Sequence, residues 1–411
     1  MYIKDIKATR VLDSRGVPTI KTFVWTKDGV GSAIVPSGTS AGKKEACELR
    51  DGGVRYFGQD VSKAIKKINT TIKKKLVNSF VIDQKEIDQM LIDLDGTNNK
   101  SKLGGNAILS VSQAVLKAAA NELQIPVHKY VAGLNKTKKQ KMPIPHLNII
   151  NGGQHAGNNL SFQEFQIVPM FNSFEENIKA SVEIYHTLKK DLEKKYGLSA
   201  INVGYEGGFC PQLESSFDAL SLIQDAIDKC KYTKKVKLAV DAAANEFYVR
   251  NKYLVDGKEH TSLEMIDYYK KIIKEYKLVS IEDPFSEDDK KHWSCFLKEV
   301  SKTKVIGDDL LATNPRLIKD AVKKRYCNGL LLKINQIGTI TEAIDAFNIA
   351  KKAEWNVQVS HRSGDTEDAF VADLAYGLAS DSVKFGAPAR GERTCKYNRL
   401  LEIEAFKNYS L

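Results

Sequence analysis

The sequence predicts an α/β protein: a β/α barrel in the second part of the chain, preceded by a smaller α+β domain. Two observations carry this. Short apolar, β-branched runs recur every few dozen residues, with amphipathic segments suited to crossover helices between them. Each run also stops on a charged or polar residue. Leu238-Ala239-Val240 ends at Asp241, Val279-Ser280-Ile281 at Glu282, and Val305-Ile306-Gly307 at Asp308. Leu330-Leu331-Leu332 ends at Lys333, and Val357-Gln358-Val359-Ser360 at His361-Arg362. The C-terminal strand ends of a β/α barrel form one mouth. These side chains are therefore expected to converge there. Three carboxylates facing a lysine and an arginine suit a divalent-metal site beside a base and an anion clamp.

The first domain is expected to begin with strands over residues 3–9, 18–25 and 30–35, with Asp13-Ser14-Arg15-Gly16 as the first turn. The following Pro36 to Lys43 stretch resembles a phosphate-binding loop. It is one residue short between its glycines and has Lys44 where Ser or Thr is required, so nucleotide binding is rejected. It reads either as a plain surface loop or as a lid whose Ser40 reaches a metal or a phosphate. Lysine-rich helices follow, and Ile108, Val111, Val115, Ala119 and Leu123 recur at helical spacing. The polar, Lys-rich stretch from Gly133 to Pro145 places the domain boundary at 133/134.

In the second domain, His146–Ile150 reads as a strand. The glycine-rich loop after it, Asn151 to Asn158, can bring His155 to a ligand; it lacks the Gly-x-Gly-x-x-Gly spacing of dinucleotide sites. Residues 161–169 alternate around Gln163 and Glu164. A long helix over about 174–196 leads to a second glycine-rich loop, Asn202 to Phe209, whose one carboxylate is Glu206.

The chain has 411 residues, of which 42% are hydrophobic, enough for two domains and a large core. No apolar run reaches the roughly 18–20 residues of a membrane helix, and the N-terminus has no signal-peptide pattern. Six scattered cysteines without a C-x-x-C pair favour a reducing, cytoplasmic setting over structural zinc or disulfides. The net charge of +11 is read as solvated helix faces, with Lys63, Lys66, Lys67 and Lys73 to Lys75 as the example. No basic stripe interleaved with aromatics points to nucleic acid.

From end to end, the motifs resemble those of the enolases. They are Val11 to Gly16, the Ser37–Gly42 loop, Asn151-Gly152-Gly153 with His155 to Asn158, Gln163-Glu164-Phe165, Ser280 to Phe285 and Asp308-Asp309-Leu310. Leu330 to Gly338, Ser360 to Gly364, Thr366-Glu367-Asp368 and Gly386 to Arg390 complete the series. The resemblance implies an eight-stranded (TIM-like) barrel over 134–411 whose opening strands depart from strict alternation. It implies reversible dehydration of 2-phosphoglycerate to phosphoenolpyruvate in glycolysis. Asp241, Glu282 and Asp308 would hold one Mg2+, and a second would arrive with substrate, with Ser40 as a ligand. Lys333 would be the base and Glu206 the acid, with His361 and Glu164 also in the catalytic set. Arg362 and Ser363 would hold the phosphate; His155, Gln163, Glu164 and Lys396 would line the substrate site. A homodimer or octamer is implied, with no nucleic-acid or membrane partner. Plasminogen binding ranks low, because the chain ends in Leu411 rather than Lys.

One departure stands out. The family usually has Asp before the acidic Glu, and here it is Tyr205. A rival reading is therefore an enolase-like binding or structural protein whose catalysis this change impairs.

Overall fold

The structure is a computed structural model that describes the chain except for residues 39–41, 43 and 408–411. The expected role of Ser40 thus lies outside the described residues. Strands β1 (Asp5–Leu12), β2 (Pro18–Trp25) and β3 (Val30–Ile34) form an antiparallel sheet in that order. Ile6, Ile20, Val24 and Ala33 are fully buried, and β2 and β3 pack against the helix Gly105–Glu122. The Lys-rich segment is helical from Ser62 to Leu76, through one π-turn at Ile68–Ile72. Ala64, Ile68, Ile72 and Leu76 recur every four residues and are buried, while Lys63, Lys66, Lys74 and Lys75 face solvent. That stripe is the amphipathic signature of a helix on a domain surface.

Eight strands close the barrel. They are β4 (Ile144–Asn151), β5 (Glu164–Pro169), β6 (Val236–Asp241), β10 (Ser280–Glu282), β11 (Lys304–Gly307), β12 (Gly329–Leu332), β13 (Asn356–Ser360) and β14 (Ser382–Lys384). Between β6 and β10, three short strands form a small separate sheet: β7 (Tyr248–Val249), β8 (Lys252–Val255) and β9 (Lys258–His260). Residues of β5, β10, β12 and β14 are buried throughout, as expected of strands covered on both faces. Crossover helices include Ser262–Tyr276, Lys290–Glu299, Pro315–Lys324 and Ile340–Lys352.

The opening strands do depart from strict alternation. β5 runs antiparallel to both neighbours, β4 and β6, while the other neighbouring barrel strands are parallel. This reversal places the first residue of β5 at the mouth, where the other strands present their last. Glu164 is accordingly the register partner of Asp241 at the end of β6 and of Asn151 at the end of β4.

The first sheet and its helices are tied to the barrel by polar contacts. Asp88 accepts from the Thr341 backbone N (2.9 Å) and hydroxyl (2.7 Å), and Ser112 Oγ accepts from Ile340 N at 3.1 Å. These contacts satisfy free N–H groups at the start of the helix Ile340–Lys352. Asp368 accepts from Lys117 Nζ (2.7 Å) and Ile34 N (2.9 Å), a structural role.

Candidate active site

The strand ends meet as the chain pattern predicts. Asp241 and Glu282 are register partners on β6 and β10, and Asp308, Lys333, His361 and Arg362 directly follow β11, β12 and β13. His155, Gln163, Glu164, Glu206, Asp241, Asp308, Lys333, His361, Arg362 and Ser363 line one small cavity of about 50 Å³. Glu282 does not line it but accepts from Lys384, which does.

Lys384, the last residue of β14, is the centre of this site and was not singled out from the sequence. It is 1% exposed. Its ammonium donates to Glu164 Oε1 (3.0 Å), Asp241 Oδ2 (3.1 Å) and both oxygens of Glu282 (2.8 Å each). Burial opposes its charge, but Asp241, Glu164 and Glu282 outweigh that and hold Lys384 protonated far above the ordinary lysine value. Burial and repulsion from Asp241 push the Glu282 carboxyl well up despite Lys384. Burial and Glu206 do the same to Glu164.

The expectation for Lys396 is corrected. It lies on the helix Gly391–Phe406, beyond β14, and its ammonium is taken up by Thr366 O (2.9 Å), Glu392 O (2.7 Å) and Asp365 Oδ1 (3.0 Å). It does not line the cavity with the other expected residues. Lys384 lines it, together with Lys333.

Lys333 pairs with Asp308, whose other oxygen accepts from Gln336 Nε2 at 2.8 Å. Burial pulls the Lys333 amine down, but the Asp308 carboxylate outweighs it and leaves the amine above its usual value. The turn after β11 is shaped by Asp283, whose oxygens accept from the backbone N of Asp308 and Asp309 at 2.8 Å each. Burial and Asp308 push Asp309 up to about 7, with Asn245 donating to it at 2.8 Å.

Glu206 sits in a pocket of imidazoles. Oε1 is 3.3 Å from His361 Nε2 and 3.5 Å from His155 Nδ1, and Oε2 accepts from Asn148 Nδ2 at 3.0 Å. Burial drives both rings toward neutrality, His361 to about 4. Burial also raises Glu206, but charge on His361 and His155 would pull it well down. The two tendencies describe one coupled unit, in which carboxyl and rings compete for a proton. Backbone fit builds the pocket. A Cβ on Gly204 would lie 2.5 Å from His155 O; Gly386, at φ +87°, would bring one within 2.7 Å of Glu206 O. Arg393, fully buried, donates to the backbone oxygens of Tyr205 (2.9 Å), Arg362 (2.6 Å) and Ser363 (2.7 Å) and lies 2.7 Å from His361 Nδ1.

Tyr205 does not line the small cavity. The residue is 40% exposed and lines a neighbouring cavity with Gln154, His155 and Arg390, its ring centroid 6.3 Å from that of His155. The Arg393 contact to its carbonyl needs no particular side chain at 205. Glu206 therefore keeps its partners.

Two matches with known proteins now decide the family. Residues 3–131 match the family model "Enolase, N-terminal domain", and residues 139–408 match "Enolase, C-terminal TIM barrel domain". The chain belongs to the enolase family. It is 49% identical over 404 residues to an enolase of Methanocaldococcus jannaschii, covering 98% of this chain and 95% of that one. It is 47% identical to enolases of Methanothrix thermoacetophila and Solanum lycopersicum, again over 98% of this chain and 96% and 95% of theirs. Enolases are hydro-lyases that use a metal ion and a small phosphorylated acid.

The residues at this enolase mouth fit such a metal. Glu164, Asp241, Glu282 and Asp308 are buried carboxylates served, among the described residues, by the ammonium groups of Lys384 and Lys333. Hard oxygen donors in excess of local positive charge suit a hard divalent cation. Among the described residues, the groupings with all donor atoms within 4.8 Å are His155–Glu164–Glu206 and Asp283–Asp308–Asp309, not the expected triad. In the triad, Lys384 holds Asp241 and Glu282 while Lys333 holds Asp308. A cation held by the triad would compete with these ammonium groups for the same carboxylates.

Proposed function

We propose that this chain interconverts 2-phosphoglycerate and phosphoenolpyruvate, with Lys333 as base and Glu206 as acid. The observation that supports this best is their shared cavity, walled by carboxylates and two buried cations. The proton at carbon 2 lies beside an ionised carboxylate, so its removal adds charge to an anion. Magnesium held by Asp241, Glu282 and Asp308, with a second ion arriving with substrate and taken by Ser40, would supply Lewis-acid stabilisation of that charge.

The chain's own groups complete the scheme. Lys384 stays protonated and faces the same developing charge. Lys333 becomes a usable base once Asp308 is engaged elsewhere, because Asp308 is what holds its proton. Glu206, in its protonated form, gives its proton to the hydroxyl leaving carbon 3, and His155 and His361 set how readily it does so. Arg362 and Ser363 hold the phosphate, with Gln163, His155 and Glu164 around the substrate. The same proposal takes the chain as two units divided at 133/134, forming a homodimer or octamer in the cytoplasm.

The test is a steady-state assay with magnesium that follows the ultraviolet absorbance of phosphoenolpyruvate. Turnover lost in Lys333→Met and Glu206→Gln but present in the parent is expected. A folded, magnesium-binding parent without turnover would sink the proposal.

A further inference from the structure

The guanidinium assigned to the phosphate already holds an anion of the chain's own. Glu45 Oε2 lies 3.0 Å from Arg362 Nη1, and Oε1 lies 3.3 Å from Nη2. The side chains are 7% and 6% exposed. The carboxylate thus offers two oxygens to two guanidinium nitrogens, the geometry in which a phosphate is also bound. Arg362 Nη1 has a further acceptor, Asn335 Oδ1, at 3.1 Å.

The surroundings permit Glu45 to leave. Gln336 Nε2 donates to Glu45 Oε1 at 3.3 Å but also to Asp308 Oδ1 at 2.8 Å, so it keeps an acceptor when Glu45 departs. The main chain beside Glu45 is fixed independently, with Ala46 N donating to Gln336 O at 2.7 Å. Glu45 also lines the cavity itself, so a phosphate entering it meets this carboxylate on the clamp. Displacement then breaks one ion pair and strands no other buried donor.

We infer that Glu45 is an internal competitor for the anion clamp: phosphate binds by displacing its carboxylate from Arg362, and Glu45 thereby sets the affinity of the site. This rests on the reading of Arg362 as a phosphate ligand. The opposing possibility is that Glu45 stays in place and orients the guanidinium. The two differ in sign. A competitor weakens phosphate binding; an orienting partner strengthens it.

The experiment is calorimetric titration of inorganic phosphate into the full chain at fixed magnesium, for the parent, Glu45→Gln, Glu45→Asp and Arg362→Gln. Glu45→Gln is expected to bind phosphate about tenfold more tightly, the factor that corresponds to roughly 1.4 kcal/mol of competing ion pair. Glu45→Asp, with its charge withdrawn by one methylene, falls between it and the parent. Arg362→Gln loses phosphate. Unchanged or weaker binding in Glu45→Gln, with binding still lost in Arg362→Gln, overturns the competitor and leaves the clamp standing. Parent-like binding in Arg362→Gln overturns both. Should Glu45→Gln not fold, Glu45→Asp decides by the same sign.

Discussion

Lys384→Met is the change that probes the centre of the site most directly. Methionine keeps most of the buried stem and removes only the ammonium. Four contacts of 2.8–3.1 Å to Glu164, Asp241 and Glu282 vanish together. Removing one partner of a buried ion pair costs roughly 3–5 kcal/mol. The loss is expected to depend on pH. Glu164 and Glu282 already have folded-state pKa values above the ordinary carboxylate value, and without Lys384 they rise further. Between the unfolded value, about 4.3, and those raised values, the native state binds more protons than the unfolded chain. Stability therefore falls as pH rises through that window. The variant should lie furthest below the parent near pH ~8 and approach it toward pH ~5, where protonation removes the repulsion. Urea unfolding in chelator, followed by far-ultraviolet circular dichroism at several pH values, measures the gap. Added magnesium should stabilise the variant more than the parent, since no ammonium competes for the carboxylates. A deficit below about 1 kcal/mol, the size of an exposed pair, would refute the reasoning, as would a deficit that does not change with pH.

Three further outcomes bear on the reaction. Lys333→Met should lower kcat by about 10²–10⁴, the usual contribution of a general base, and should abolish deuterium uptake at carbon 2 of 2-phosphoglycerate, read by NMR. Glu206→Gln should lose turnover to a similar degree yet retain that uptake, because the proton at carbon 2 is removed by Lys333. Tyr205→Asp should change kcat by less than about tenfold, or 1.4 kcal/mol, in the steady-state assay, because the ring lies outside the mouth; a larger gain would show that position 205 tunes Glu206.

Much of the site is legible in the chain because the barrel imposes a rule on it. A strand buried on both faces must be apolar until it reaches the mouth, and its next residue is free to be charged. Asp241, Asp308 and Lys333 end runs that obey that rule; the runs before Glu282 and His361-Arg362 are interrupted by Ser280 and by Gln358 and Ser360 but remain long enough to notice. Arg393 and Asn148 carry no such signal. Asn148 lies within β4 and Arg393 on the helix Gly391–Phe406, and their roles depend on contacts to Glu206 and His361, far apart in sequence.

One expectation is misplaced, Lys396, and one residue, Lys384, went unread: the end of a strand, not the length of the run before it, determines what reaches the mouth. β14 is Ser382-Val383-Lys384, three residues with a single apolar side chain, too short to register as a strand by pattern. Yet it pairs with β13 and β4 and closes the barrel, so its terminal lysine is delivered to the mouth as surely as Lys333. Lys396 lies in the helix that follows, where its side chain meets Asp365 behind the mouth. Glu164 gives the converse. It begins its strand, and among eight parallel strands it would sit at the closed end, remote from Asp241. Reversing β5 alone brings it level with Asp241 and within reach of Lys384. The direction of one strand thus supplies one of the three carboxylates on that ammonium, and parallel pairing of β5 with β6 would remove it.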